Sequence, residues 1–219
     1  MRRMVKASVS LLILIAVLWA IWTYHTDELY GESFSSEFQY EITLKTDSKL
    51  KNVSLLLPFP ENIPKIEEKL LNDGSAENLD LRIVEGKHGK MLELTADNIT
   101  PVYHSAPIPI KPEETSAITP QTSEVYSNET PILTPIRIVF VAESDEEIET
   151  KNPPPEILLN PKYNLTETDC KFPVRSGRCY SYESLIYADY EGYGNISIYI
   201  RLEGRNSWWI YGWSGNEFR

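Results

Sequence analysis

The chain has 219 residues, with 21 Lys and Arg against 32 Asp and Glu and a formal charge of −11; its pI is near 4.8. This balance argues against a nucleic-acid partner, which needs a basic footprint for phosphate, and against a body that hugs an anionic membrane surface. Thirteen Tyr and five Trp against ten Gly point to a packed, β-rich body.

Ala7–Tyr24 (ASVSLLILIAVLWAIWTY) is the one long apolar run. Its 18 uncharged residues would form a helix about 27 Å long, close to the roughly 30 Å hydrocarbon core of a bilayer. Arg2, Arg3 and Lys6 precede it; His25, Asp27, Glu28 and Glu32 follow it. Cations on one flank place residues 1–6 in the cytoplasm and the remainder outside. Trp19, Trp22 and Tyr24 sit at the outer end, where amphipathic rings favour the headgroup level. A cleaved signal peptide is the competing reading. The run exceeds the usual h-region of about 7–15 residues, and cleavage after Ala20 would put the bulky Leu18 at the −3 position. The expectation is a single-pass signal-anchor over 7–24, contacting the lipid bilayer. A polar spacer over 25–36 and an extracytoplasmic body over 37–219 follow.

Within the body, Phe38, Tyr40, Ile42 and Leu44 alternate with Gln39, Glu41, Thr43 and Lys45, which predicts a half-buried strand over Glu37–Thr46. Asn52–Leu57 reads as a second strand ending at Pro58 and Pro60, able to pair with the first as an antiparallel hairpin. Ile63, Ile66, Leu70 and Leu71 switch to helical spacing. They predict a short helix over Asn62–Asn72, with Asn62 as N-cap, Gly74 beyond its end and Glu67-Glu68-Lys69 on a solvated face. Leu79–Glu85 and Lys90–Ala96 predict a hairpin turning at Gly86–Gly89, with His88 exposed on the turn.

Thr100–Pro135 holds seven of the fifteen prolines and no glycine. Pro107–Pro112 favours a polyproline-like path, so the stretch reads as an insertion draped on the domain. Ile136–Ala142 is apolar on both faces and predicts a central strand. The acidic run Glu143–Glu149 lacks the frame and glycine of a calcium loop. Cys170 and Cys179 predict one disulfide, as suits an exported domain. Tyr180–Tyr190, Asn195–Glu203 and Ser207–Trp213 read as a three-strand meander, with turns at Glu191–Gly194 and Gly204-Arg205-Asn206. Five sequons, at Asn52, Asn98, Asn128, Asn164 and Asn195, offer glycosylation sites outside the cytoplasm.

Chemistry-bearing motifs are few. Gly212-Trp213-Ser214-Gly215 falls one residue short of G-x-S-x-G. The three histidines have no partner by spacing, and no glycine loop, dinucleotide fingerprint or metal-ligand spacing occurs. No cofactor or metal is therefore expected. The expected fold class is mainly β: an antiparallel β-sandwich-like extracytoplasmic domain of around eight strands with one short helix, behind a single transmembrane helix. The expected function is a non-enzymatic surface or envelope module contacting protein or glycan. Its binding face would comprise Tyr199, Trp209, Tyr211 and Trp213, should these rings share an exposed surface. The alternatives are a hydrolase using Asp189 and Glu191, and an accessory subunit whose helix packs through Ala16 and Ala20.

Overall fold

A computed structural model describes residues 2–73, 75–76, 78–107, 126–170 and 178–219. The polyproline-like path over 108–112, the helix stop at Gly74 and the loop between the cysteines lie outside them. The chain is mainly β, with antiparallel sheets, and has two α-helices among the described residues.

Helix α1 spans Arg2–Ser33, and its Ser10–Ser33 stretch is long and apolar enough to cross a membrane. The expected spacer is thus helical as far as Ser33. The signal is a stripe: Thr23, Thr26, Tyr30 and Ser33 recur at helical spacing and are half-buried, while Asp27, Glu28 and Glu32 are exposed. Strand β1 (Ser35–Thr46) begins after a single residue, and β2 (Leu50–Pro60) and α2 (Pro64–Asp73) follow. Next come β3 (Ser75–Ala76), β4 (Leu79–Gly86), β5 (Gly89–Ile99), β6 (Val102–Pro107), β7 (Tyr126–Thr134) and β8 (Ile136–Ser144). The remaining strands are β9 (Leu159–Asn160), β10 (Tyr163–Thr168), β11 (Cys179–Glu183), β12 (Tyr187–Glu191), β13 (Ile196–Trp209) and β14 (Trp213–Phe218).

One sheet has the order β14-β13-β1-β8. A second runs β12-β2-β5-β4-β3, with β9 on the far end of β2. Two ribbons, β6–β7 and β10–β11, complete the set. Both sheets draw strands from before and after the proline-rich stretch, whose described flanks form the β6–β7 ribbon.

The alternation in β1 is realised: Tyr40, Ile42 and Leu44 are fully or almost fully buried. The hairpin expected between β1 and β2 is not formed. β1 already has β13 and β8 on its two edges, so β2 crosses to the other sheet. Three linking residues reach about 10 Å, the usual separation of two packed sheets. The Tyr40 hydroxyl donates to the Pro58 carbonyl at 2.6 Å, and its ring meets Phe59 edge-on at 5.6 Å. Burial pushes the Tyr40 phenol far above its ordinary pKa. β2 runs through Pro58 and Pro60 because its ladder changes partner there, from β5 to β9. Inward residues of both sheets, Ile63 just before α2, Ile66 and Leu70 of α2, and Ile148 form one buried cluster. Asn62 does not cap α2: the first turn closes on the Ile63 carbonyl, and the Asn62 amide donates to Glu156 O at 3.3 Å. Glu67 is drawn from the solvated face into a 2.8 Å ion pair with Lys90. The β4–β5 hairpin turns at Lys87-His88, and His88 meets the Tyr163 hydroxyl at 2.7 Å.

Three further expectations are corrected. β8 lies at a sheet edge, not in the centre. Ile138, Phe140 and Ala142 are buried, while Val139 and Val141 remain about 40% exposed on the outer face. Gly204-Arg205-Asn206 is the interior of the 14-residue β13, not a turn. β12, expected beside β13, belongs to the other sheet. Gly204 is required because the Phe218 ring lies over it: a Cβ there would come 2.2 Å from Phe218 Cε1.

Asn206 is fully buried and uses every hydrogen-bonding position of its side-chain amide. Its Oδ1 accepts from Ser36 Oγ at 2.7 Å and from Ile148 N at 3.0 Å. Its Nδ2 donates to Ile148 O at 2.8 Å and to Asn216 Oδ1 at 2.7 Å. One side chain thereby ties together β1, β13, β14 and the acidic segment after β8. That segment folds on its own carboxylates: Glu149 Oε1 accepts from Lys151 N at 2.8 Å, and Asp145 pairs with Lys65 at 2.7 Å. Asn206→Ala orphans buried partners, so denaturant unfolding of the full chain in micelles should show a loss of about 3 kcal/mol. Asn206→Asp keeps the acceptors but turns a carboxylate towards Ile148 O and Asn216 Oδ1. Its stability relative to the parent should therefore recover as the pH falls and the carboxyl takes up a proton.

Candidate functional site

The aromatic end of the chain forms a site together with α1. Trp209 and Trp213 face each other across β13 and β14, leaving Ile210-Tyr211-Gly212 as the turn that the sequence did not signal. Ile210 N donates to Gly212 O at 3.1 Å. Tyr211 has φ +55°, a left-handed conformation that is rare for a bulky side chain.

The Tyr211 ring stacks on Trp22 of α1 with centroids 5.2 Å apart, and His25 meets the same ring edge-on at 6.3 Å. One layer further along, Trp208 packs against Tyr30 at 5.7 Å and Phe34 at 6.5 Å. Beside the second layer sits Ser33, directly before Phe34. Its Oγ accepts the Trp209 N–H at 2.8 Å, and its own proton lies within reach of Leu29 O at 2.6 Å and Trp209 O at 3.1 Å. Phe34 N closes the last helical turn on Tyr30 O at 2.9 Å. The helix end is thus both capped and docked.

The four rings expected to share a face do not all meet. Trp209, half-buried, contacts Tyr211 at 6.1 Å. Trp213 follows across the ladder and is 74% exposed. Tyr199 stands ten residues up β13, opposite Thr43, about 33 Å away along the strand. Tyr199 therefore belongs to a different surface. The residues missed were on α1, and the Thr23–Thr26–Tyr30–Ser33 stripe was their signal.

Tyr199 lies on the outer face of the first sheet, among paired charges. Arg137 grips Glu41 with two hydrogen bonds, of 2.6 and 3.0 Å. Arg201 pairs with Glu203, and Arg205 with Glu37. The outer face of the second sheet carries a shallow cleft lined by Asn52, Asn78, Asp80, Thr95, Asp97 and Asn98. Across its strands Asp80, Thr95, Ser54 and Asp189 form one row. Three strand spacings separate Asp80 from Asp189, about 14 Å, wider than a glycosidase pair. Glu191, the other carboxylate of the hydrolase reading, accepts the Asn52 amide at 3.0 Å.

Cys170 and Cys179 form a disulfide. Asn52, Asn98, Asn164 and Asn195 are exposed, while the side chain of Asn128 lies outside the described ones. Among the described residues no group of three or more His, Cys, Asp or Glu could hold a metal ion. Comparison with family models, with curated proteins and with solved structures found no match.

The Arg137 hydrogen bonds, with the charges of Arg137 and Arg201, hold the Glu41 carboxyl below the usual carboxylate range. A lowered folded-state pKa contributes stability that is complete above the unfolded value of about 4.3 and is lost as the pH falls through the folded one. Between pH 6 and pH 3 the stability contributed by this pair should therefore fall. Arg137→Met should remove that part of the acid sensitivity, as read from denaturation midpoints at the two pH values.

Proposed function

We propose that this chain is a single-pass membrane protein that holds a β-sandwich-like domain outside the cytoplasm and acts as a non-enzymatic surface module. The observation that carries the reading is the junction of α1 with the domain. The large apolar residues of α1 from Leu11 to Ile21 stay about half exposed or more, and the domain docks further along the same helix, from Trp22 to Phe34. A bare apolar helix of that length needs a bilayer around it. The cationic N-terminal flank turns the domain outward. The disulfide and the exposed sequon asparagines fit that compartment.

The contact surface in this reading is the pole far from α1. β1, 12 residues long, carries the domain about 40 Å from the helix end. Tyr193, Val102, Tyr103 and Ile132 are exposed at that pole. The Tyr103 hydroxyl donates to Asp47 O at 3.4 Å. Gly194 packs so closely that a Cβ would lie 1.5 Å from Ser48 Oγ. The β6–β7 ribbon and the turn before β13 therefore meet over Asp47-Ser48. Exposed rings on a fixed frame are what protein and glycan contacts use.

In intact cells, protease added outside should digest the domain. A photocrosslinking residue at Tyr193 should form discrete adducts with protein or glycan, while one at Arg82, on the second sheet's outer face, should not. A protected domain, or equal labelling at both positions, would contradict the proposal.

A further inference from the structure

We infer that the β13–β14 tip is a second membrane contact, with Ile210–Trp213 seated among phospholipid headgroups beside α1. The inference rests on the reading of α1 as a membrane span. Trp22 lies at the outer end of the apolar run, where indole rings favour the headgroup level, and the Tyr211 ring stacks on it. That contact sets the depth of the tip: whatever surrounds Trp22 also surrounds Tyr211.

The tip is built for such a place. From Asn206 to Asn216 the chain carries no charge, although its formal net charge is −11. Arg205 and Glu217 bound this window, and their side chains are held at the sheet by ion pairs with Glu37 and Arg219. Inside the window Tyr211 and Trp213 are 53% and 74% exposed. Tyr and Trp combine a large apolar body with one polar handle, the chemistry that suits an interface with one dry side and one wet side. The left-handed φ of Tyr211 is unfavourable for a residue with a Cβ, and the ring here stacks on Trp22. Strain of this kind persists where the surroundings hold it and commonly serves a contact. An acidic body is repelled by anionic lipid, but an uncharged aromatic tip enters the interface without that penalty. Together α1 and the tip would give the domain two points of support, fixing its tilt on the bilayer.

The test uses full-length chains in phosphatidylcholine vesicles, each keeping one tryptophan, Trp213 or Trp19, with the other four replaced by Phe. Lipids brominated near the headgroup end of the acyl chains should quench Trp213 strongly, and lipids brominated near the chain ends should quench it weakly. Quenching of Trp19 reports the span separately, so a failure of the anchor is distinguishable from a failure of the tip contact. With Trp19 quenched, a Trp213 that water-borne acrylamide reaches and brominated lipid does not would overturn the inference. So would a Trp213 shielded from both, as it would be beneath a partner protein or a second copy. In the otherwise native chain, Gly212→Cys carrying a nitroxide gives an independent reading, since a Cβ at Gly212 meets nothing within 4 Å. The ratio of collisions with oxygen to those with a water-soluble nickel chelate should be higher there than at Arg82→Cys, which is exposed on the second sheet's outer face, and equal ratios at the two positions would overturn the proposal.

Discussion

A single hydroxyl fixes how the β domain stands on its apolar helix. Ser33 Oγ takes the Trp209 N–H at 2.8 Å while lying within reach of Leu29 O in its own helix. Only Phe34 separates α1 from β1. The ordinary freedom of a tether is therefore absent. The contacts of Trp208 with Tyr30 and Phe34, and of Tyr211 with Trp22 further back along the helix, oppose rocking of the sheet about this bond. In the proposed topology the orientation of the helix in the bilayer then becomes the orientation of the whole domain.

The seat depends on β13 reaching it as one unbroken strand. Asn206, three residues before Trp209, secures this by binding across to β1, β14 and the Ile148 backbone at once. Gly204, two residues earlier, makes room for the ring of Phe218. A buried amide with all its valences filled contributes specificity as well as stability, because no shifted register would satisfy it. The same strand continues to Ile196 at the other pole, so the support beside α1 and the far pole share one element.

Much of the fold was legible where the signal is local. The alternation of Phe38–Leu44, the helical spacing of Ile63, Ile66 and Leu70, the Gly86–Gly89 turn and the cysteine pair each read correctly, because neighbouring residues decide them. The pairings were not legible, because distant residues decide them. β1 ignores the adjacent β2 and pairs instead with strands near residues 140 and 200. Ile136–Ala142 looked central because it is apolar on both faces, yet Val139 and Val141 face outward at an edge. Gly204-Arg205-Asn206 has the composition of a turn; the Phe218 ring and the buried network explain those residue types inside a strand. The helical stripe through 23–33 was readable by its period, but it was masked by Asp27, Glu28 and Glu32 on the opposite face. At the site, three of the four selected rings cluster and Tyr199 does not. β13 does not turn at Gly204, and its length separates Tyr199 from the others.

The rigid seat is tested most directly by a distance. Nitroxides at Val17→Cys on α1 and Lys45→Cys on β1 report helix and domain without touching the disulfide, both positions being exposed. Pulsed electron resonance on the full chain in bilayer nanodiscs should give a single narrow distance distribution. A broad distribution, as from a domain swinging on a tether, would contradict the account.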